Sequence, residues 1–198
     1  MSLELWNTFA TYGTFLVIAA TALAAIVQLR QLRGSNQIAA LYKVRETSES
    51  RELRDAQHFV FTELAEKMKD PAFRYQVQHR AARTNENQAS IAKIVTVGNF
   101  WESMGTLVKT GLLDKNLVFE AWSGHVADDW EKLASVTALW RRTRGTALME
   151  NFEYLTVLSK DWVAAYPNGT YPARVRRIDL KDDWLKADTQ YEASLASL

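Results

Sequence analysis

The first feature of the chain is a long apolar segment near its N-terminus. From Leu5 to Leu29 it reads LWNTFATYGTFLVIAATALAAIVQL, without a charged residue. As a helix this segment would reach about 37 Å, whereas the hydrocarbon core of a bilayer is about 30 Å thick. The pattern predicts a transmembrane anchor over residues 1–30. The residues assigned to the anchor and its inner flank are Trp6, Tyr12, Ala20, Thr21, Ala24, Ala25, Arg30 and Arg33.

Residue types within the anchor have different expected roles. Trp6 and Tyr12 suit the headgroup region, where amphipathic rings are favoured. Ala20 with Ala24, and Thr21 with Ala25, form small-x-x-x-small steps that allow close helix contact in lipid, although a monomeric anchor explains them equally well. Thr hydroxyls are expected to bond back to helix carbonyls.

Two other interpretations of the apolar segment are open. A cleavable signal peptide would begin with basic residues, whereas Glu4 stands there and the basic residues follow the segment. A buried core helix would need a body large enough to surround it on every side. The spanning helix is therefore favoured.

The charges that flank the segment predict its orientation. Glu4 is the one charged residue before it, whereas Arg30, Arg33, Lys43 and Arg45 follow before the next acid. Basic residues resist translocation, so the expected location is the inner (cytoplasmic) membrane, with the N-terminus outside and the C-terminal part cytoplasmic.

Helical spacing of apolar residues continues after the anchor, and period-two alternation is scarce. The fold class predicted is all-α: one N-terminal transmembrane helix, a cytoplasmic stalk and an antiparallel helical bundle. Residues 31–70 are assigned to a juxtamembrane stalk helix, with Gly34 either breaking it or lying within it. Residues 71–166 are assigned to the bundle, and residues 167–198 to a loop and a partly helical tail.

Capping residues in the sequence predict where the helices of the bundle begin and end. Asp70 before Pro71 and Asp114 are predicted N-caps, and Gly111 is expected to adopt a left-handed C-cap. Gly124 is expected to end a short helix, with another helix over residues 126–144. Gly98 and Gly105 are seven residues apart and would let another helix approach closely. Further helices are expected at about 146–165 and 180–195.

Several motifs resemble a known family. Three groups of motifs carry the resemblance: the Leu5-Trp6 anchor running into Gln28–Arg33, the stretch Asn99–Gly105 with Val108–Asp114, and the later Trp130-Glu131, Arg141–Arg144 and Asn151–Leu155 elements. Together they are similar to the bacterial domain-of-unknown-function 4760 family. The resemblance covers nearly the whole chain to about residue 162. It implies a small, membrane-anchored helical protein with no established activity, so it transfers no catalytic residue.

The amino-acid composition excludes several kinds of partner and functional site. The 24 basic and 23 acidic residues nearly balance, so nucleic acid is not an expected partner. The chain has no cysteine, which excludes disulfides and thiol nucleophiles, and its three histidines have no ligand spacing. We predict no catalytic residue, no metal site and no cofactor. An enzyme is not favoured.

Two charged groups are candidate sites. Glu102 is predicted to pair with Arg141 or Arg144 between helices. A buried ion pair that fixes helix register is the favoured explanation, and an arginine presented to an anionic ligand is the alternative. Arg174, Arg176 and Arg177 form either an ordinary solvated turn or a contact with anionic lipid or an acidic partner.

The function expected from these features is that of a single-pass, membrane-anchored helical interaction or scaffold protein. Its expected partners are the lipid bilayer and either a second copy of the chain or another membrane protein. The alternatives are a membrane-tethered enzyme or small anionic-ligand sensor, and a membrane-perturbing effector.

Overall fold

A computed structural model describes residues 3–195 of the chain, with side chains for residue 6 and residues 11–195. The first two residues of the predicted anchor and the last three of the predicted tail lie outside the described residues. Within that range the chain is all-helical, as predicted. The helices are α1 (Leu3–Ser48), α2 (Arg51–Thr62), α3 (Leu64–Lys67), α4 (Pro71–Gln78), α5 (Asn85–Lys109), α6 (Lys115–Arg144), α7 (Glu150–Ala165) and α8 (Leu185–Leu195), with a 3-10 turn at Arg80–Ala82.

The first helix is much longer than the anchor alone. α1 has 46 residues and passes through Gly34 without a break, so it is about 69 Å long. Within the described residues it is the one helix long and apolar enough to cross a membrane: its apolar window of 18 residues has a mean hydropathy of 1.9, and none of that window is buried. Val44 is the residue of α1 that is buried in the core of the bundle.

The predicted single stalk helix over residues 31–70 is wrong in its second half. α1 ends at Ser48, and Ser50 caps α2 by accepting a hydrogen bond of 3.2 Å from the backbone N–H of Leu53. α2 is part of the bundle because one face of it is apolar and packs mainly against α5. The buried residues on that face are Leu53, Ala56, Phe59 and Val60.

Helices α5, α6 and α7 form the centre of the bundle. The α5–α6 and α6–α7 connections are short, so each pair runs antiparallel, and α4 packs on α6. Their shared core holds two buried indoles, Trp101 and Trp140, together with Phe152. The N-terminal half of α6 lies beside the end of α1, since Leu41 and Leu117 line one cavity with Ser48 and Trp122.

Most predicted helix ends are confirmed. The side chains of Asp70 and Asp114 accept hydrogen bonds from the first turns of α4 and α6. Gly111 has φ +71°, as a left-handed C-cap requires, and Gly145 has φ +90° where α6 ends.

The predicted end at Gly124 is wrong, because α6 continues through it. A glycine inside a helix costs about 1 kcal/mol relative to alanine. Burial of Val118 and Phe119 before Gly124, and of Val126 and Leu133 after it, outweighs that cost.

Residues 168–198 form a second compact unit. Its helix α8 starts five residues later than predicted, because Asp182 accepts hydrogen bonds from the backbone N–H groups of Trp184 and Leu185.

Candidate functional site

Glu102 does not form the predicted pair with an arginine. Its two carboxylate oxygens accept hydrogen bonds of 2.8 Å from the Asn151 side-chain amide and from the Phe152 backbone N–H. Both donors belong to the first turn of α7. Met149, the N-cap residue of α7, has φ +58° and no side-chain capping bond. Glu102 therefore caps α7 from a neighbouring helix, where a negative charge also interacts favourably with the helix dipole.

The two arginines of that prediction lie elsewhere. Arg141 donates to the Leu148 carbonyl at 2.9 Å and pairs with Glu153 at 2.6 Å, so it holds the turn before α7. The Arg144 guanidinium stacks over the Trp140 ring, 5.9 Å from its centroid. The three residues therefore do not form one cluster. The sequence-based prediction placed the acceptor helix correctly. It failed because it could not identify the donors, which lie at the start of α7.

A different carboxylate is buried in the bundle. Asp129 is 1% exposed and lies on α6. Its Oδ2 accepts hydrogen bonds from Gln57 Nε2 on α2 at 2.8 Å and from Trp101 Nε1 on α5 at 2.5 Å. Its Oδ1 has no hydrogen-bond partner among the described residues. One acid therefore joins three helices through neutral donors and has no cation paired with it.

Burial raises the pKa of the Asp129 carboxyl, and the nearby Asp128 carboxylate adds to the increase. The hydrogen bonds from Gln57 and Trp101, and the nearby His125, oppose that increase. Desolvation is the largest cause, because a charged carboxylate loses its hydration in the core and gains two neutral donors in return.

A small cavity adjoins this carboxylate. It measures about 170 Å³, and its lining combines the residues that hold Asp129 with aromatic rings and a histidine one helical turn away. The lining residues are Ser48, Leu53, Gln57, Phe100, Trp101, Ala121, Trp122 and His125. The cavity lies where α1 gives way to α2, since Ser48 and Leu53 are among its lining residues.

Sequence reasoning missed Asp129 as a site residue. By its sequence, the acidic group Asp128, Asp129 and Glu131 is typical of a helix start, where negative charge interacts favourably with the helix dipole. The continuous α6 places Asp129 in mid-helix instead. The available signal was the helical period, because Val126, Asp129 and Leu133 share a face at steps of three and four residues.

Two larger open cavities flank the end of α1. One of about 500 Å³ lies between α1, α2 and α5, and one of about 450 Å³ lies between α1 and α6. Apolar side chains, including Val44 and Leu107 in the first and Leu41 and Leu117 in the second, line both. The α1 helix therefore meets the bundle with an apolar recess on each side.

The anchor residues lie along the exposed surface of α1. Trp6 and Tyr12 are 62% and 66% exposed. The Thr21 hydroxyl donates to the Val17 carbonyl at 2.7 Å, as expected of threonine in an apolar helix. The remaining assigned residues, which are also exposed, are Ala20, Ala24, Ala25, Arg30 and Arg33.

The arginines of the C-terminal unit are exposed. Arg177 stacks on Tyr171 at 4.8 Å and donates to the Asn168 carbonyl, while the Arg176 carbonyl accepts from the Tyr171 hydroxyl. These bonds make residues 168–177 a local turn that displays Arg174 and Arg176 to solvent.

Metal ligands are not clustered in the described part of the chain: no group of three or more histidine or acidic side chains there could hold a metal ion. His79 packs against the Tyr75 ring at 4.3 Å, and His58 and His125 are exposed.

Together these observations define a class: an all-helical protein whose one long apolar helix has an exposed surface and continues into a packed bundle. The chain matches the family described as Domain of unknown function (DUF4760) over residues 15–160, and it belongs to that family. The resemblance inferred from the motifs is thus confirmed. No curated protein and no solved structure matches the chain.

Proposed function

We propose that the protein is a single-pass, membrane-anchored helical interaction module that displays its bundle at the cytoplasmic face of the inner membrane. The observation that carries the proposal is the surface of α1: its apolar window is entirely unburied, and the same helix continues into the bundle. An apolar helix that its own chain leaves uncovered needs another apolar environment, and its length suits a bilayer.

The basic flank supports the orientation. Arg30 and Arg33 follow the apolar segment directly, and Lys43 and Arg45 follow further along the same helix. Lys43 and Arg45 pair with Glu46 and Glu49, whereas Arg30 and Arg33 form no ion pair within residues 3–195. Two unpaired arginines at the end of an apolar helix favour its retention on the cytoplasmic side.

The recesses beside α1 support an interaction role. They are open and largely apolar, and they lie where a partner helix running alongside α1 would reach the bundle. A second copy of the chain or another membrane protein would supply such a helix.

The C-terminal arginines extend the proposal. Arg174, Arg176 and Arg177 are exposed and form no ion pair with any other described residue. We assign them to contact with anionic lipid or with an acidic partner, each arginine adding about 1 kcal/mol near an anionic surface. Replacing all three with glutamine should weaken retention on anionic vesicles at low salt and leave retention on neutral vesicles unchanged. This assignment would be refuted if the variant and the unmodified protein were retained equally on anionic vesicles and equally on neutral vesicles.

Membrane fractionation tests the anchoring directly. The full-length protein should sediment with membranes from lysed cells, resist extraction at alkaline pH and dissolve only in detergent. Recovery of the protein in the supernatant without detergent would refute the proposal. Cross-linking in membranes then separates the two interaction modes: self-association gives a homodimer band whose fraction rises with expression level, and partner recruitment gives a band of different mass.

A further inference from the structure

Three arginines converge at the end of the bundle where α4 and α6 meet. The Trp140 indole donates to the Val77 carbonyl at 3.0 Å, which joins the last turns of the two helices. Arg144 stacks on the Trp140 ring, and Arg83 donates to the Gln76 carbonyl at 3.3 Å. Arg144 therefore contacts one partner of this tertiary bond, and Arg83 bonds the residue next to the other partner. Arg80, three residues before Arg83, belongs to the 3-10 turn that follows α4.

No anionic side chain in the described part of the chain pairs with these positive charges. Arg80, Arg83 and Arg144 form no ion pair with any residue the structure describes, whereas Arg141, one turn earlier on α6, is paired with Glu153. Burial lowers the pKa of Arg83, and the positive charges of Arg144 and Arg80 lower it further. Guanidinium groups held close together without a counter-charge repel one another, so the arrangement favours binding of an anion.

The positions of these side chains have partial structural explanations. Arg144 in the last turn of α6 interacts favourably with the helix dipole, and Arg83 satisfies one carbonyl of α4. Neither role requires the two arginines to be close to each other and to Arg80. Planar guanidinium groups are well suited to binding phosphate oxygens in pairs.

We propose that Arg80, Arg83 and Arg144 form a binding site for a phosphate-type dianion. The site lies at the end of the bundle away from the anchor. Leu41 and Ser48 of α1 line one cavity with Leu117 and Trp122 of α6, so the two helices run in the same direction there, and α6 extends for about 33 Å from Trp122 to Arg144. The source of the phosphate is therefore in solution, either free or carried by a soluble molecule, and not a headgroup of the membrane that holds the anchor.

Calorimetric titration of the full-length protein tests the site. The protein is held in phosphatidylcholine nanodiscs at low ionic strength, and inorganic phosphate is the titrant. Arg144→Gln should weaken phosphate binding at least tenfold, because it removes one charge-assisted contact. Arg80→Gln should weaken it to a similar degree. Arg142→Gln is the matched control, because Arg142 is exposed on the same turn of α6 and has no assigned role in the site.

The outcomes separate a built site from general charge attraction. Equal weakening by Arg142→Gln and Arg144→Gln, or no measurable phosphate binding by the unmodified protein, overturns the proposal. Nanodiscs that also contain phosphatidylglycerol distinguish the two sources of phosphate: the same affinity in both discs supports a soluble ligand, whereas weaker phosphate binding in the anionic discs indicates a headgroup and overturns the assigned source. The arginine substitutions test the site independently of anchoring, because Arg80, Arg83 and Arg144 all lie in the bundle; only the comparison of the two kinds of disc depends on the anchor.

Discussion

At the scale of single residues, Gly105 determines how closely two helices approach. A Cβ atom built at Gly105 would collide with the backbone carbonyl of Asn151 at the start of α7. Backbone cannot move aside as a flexible side chain can, so α5 and α7 would have to separate. Gly105→Ala should therefore lower the free energy of unfolding by about 2–3 kcal/mol, measured by chemical denaturation in detergent.

Two other glycines serve as controls for that substitution. A Cβ at Gly98 has one tight contact, at 3.1 Å with the flexible end of the Met149 side chain, and an ordinary contact at 3.9 Å with the Trp140 ring, so Gly98→Ala should cost much less. Gly124 is exposed in mid-helix with nothing within 4 Å, and Gly124→Ala should raise stability by about 0.5–1 kcal/mol. Equal effects at Gly105 and Gly124 would contradict close packing of α5 on α7.

Glu102 has a capping role that a conservative variant can test. Glu102→Gln keeps one acceptor oxygen but removes the negative charge at the N-terminus of α7, and should cost about 1 kcal/mol of unfolding free energy. Glu102→Ala removes both bonds and should cost about 2 kcal/mol. Glu131→Gln, at an exposed position on α6, should change little. Unchanged stability of Glu102→Ala would show that α7 does not depend on this cap.

The raised pKa of Asp129 predicts how stability depends on pH. Between the ordinary value of 3.8 and the higher value in the folded protein, the folded state keeps a proton that the unfolded state has released. The free energy of unfolding should therefore fall as pH rises through that window, and the loss is complete above the folded-state pKa. Asp129→Asn should remove this contribution, because asparagine still offers an oxygen to Gln57 and Trp101 but carries no charge.

Comparison with a neighbouring acid isolates this effect. Asp128 is exposed on the same helix, so Asp128→Asn should leave most of the slope in place. Denaturation curves of the three proteins from about pH 4 to pH 8 provide the measurement. A slope in Asp129→Asn as steep as in the unmodified protein would mean that another group is responsible.

These residues show where sequence reasoning succeeded and where it stopped. Asp70, Asp114 and Gly111 were identified because a cap depends on neighbours within a few positions. The partners of Glu102 lie 49 and 50 residues away in sequence, those of Asp129 lie 28 and 72 residues away, and periodicity does not identify them. Local chemistry was therefore predictable, and the tertiary hydrogen bonds were not.

At the scale of helices, length and continuity depended on tertiary packing. Gly124 and Gly34 are both helix-weakening residues, yet α6 and α1 continue through them. In α6 the reason is burial on both sides of the glycine. The residues around Gly34 are mostly exposed, and α1 continues through this glycine without help from burial. This is the second of the two alternatives stated for Gly34, in which it lies within the helix. The helical character of the chain and the buried faces of most helices followed from the apolar period, whereas several helix boundaries did not.

The apolar surface of α1 predicts different responses to charge along one helix. Leu23 and Leu32 are both exposed, at 65% and 58%, but only Leu23 lies within the proposed span. Lysine at the centre of a spanning helix costs about 3 kcal/mol, so Leu23→Lys should reduce the membrane-inserted fraction in a translation assay with microsomes. Leu32→Lys should insert as the unmodified chain does. Equal insertion of both variants would be inconsistent with a span centred in this segment.

At the scale of the whole molecule, charge balance and charge placement have separate consequences. The net charge is +1, so the protein as a whole does not favour one side of a membrane strongly. The local asymmetry is larger, since Glu4 precedes the apolar segment and Arg30 and Arg33 follow it. Orientation should therefore respond to these three residues and very little to the remaining charges.

The absence of cysteine makes that orientation measurable. Ala147→Cys introduces one thiol at an exposed position in the turn before α7, at the end of the bundle away from the anchor. In cells whose outer membrane has been permeabilised and whose inner membrane is intact, a membrane-impermeant maleimide should not label this thiol. Labelling should begin only when the inner membrane is permeabilised as well. Exchanging the flanking charges, with Glu4→Arg, Arg30→Glu and Arg33→Glu together, should make a substantial fraction reactive in the same cells. If the thiol is reactive before permeabilisation in the chain with its original charges, the bundle lies on the outer face, and both the partners and the phosphate source proposed above would have to be sought there.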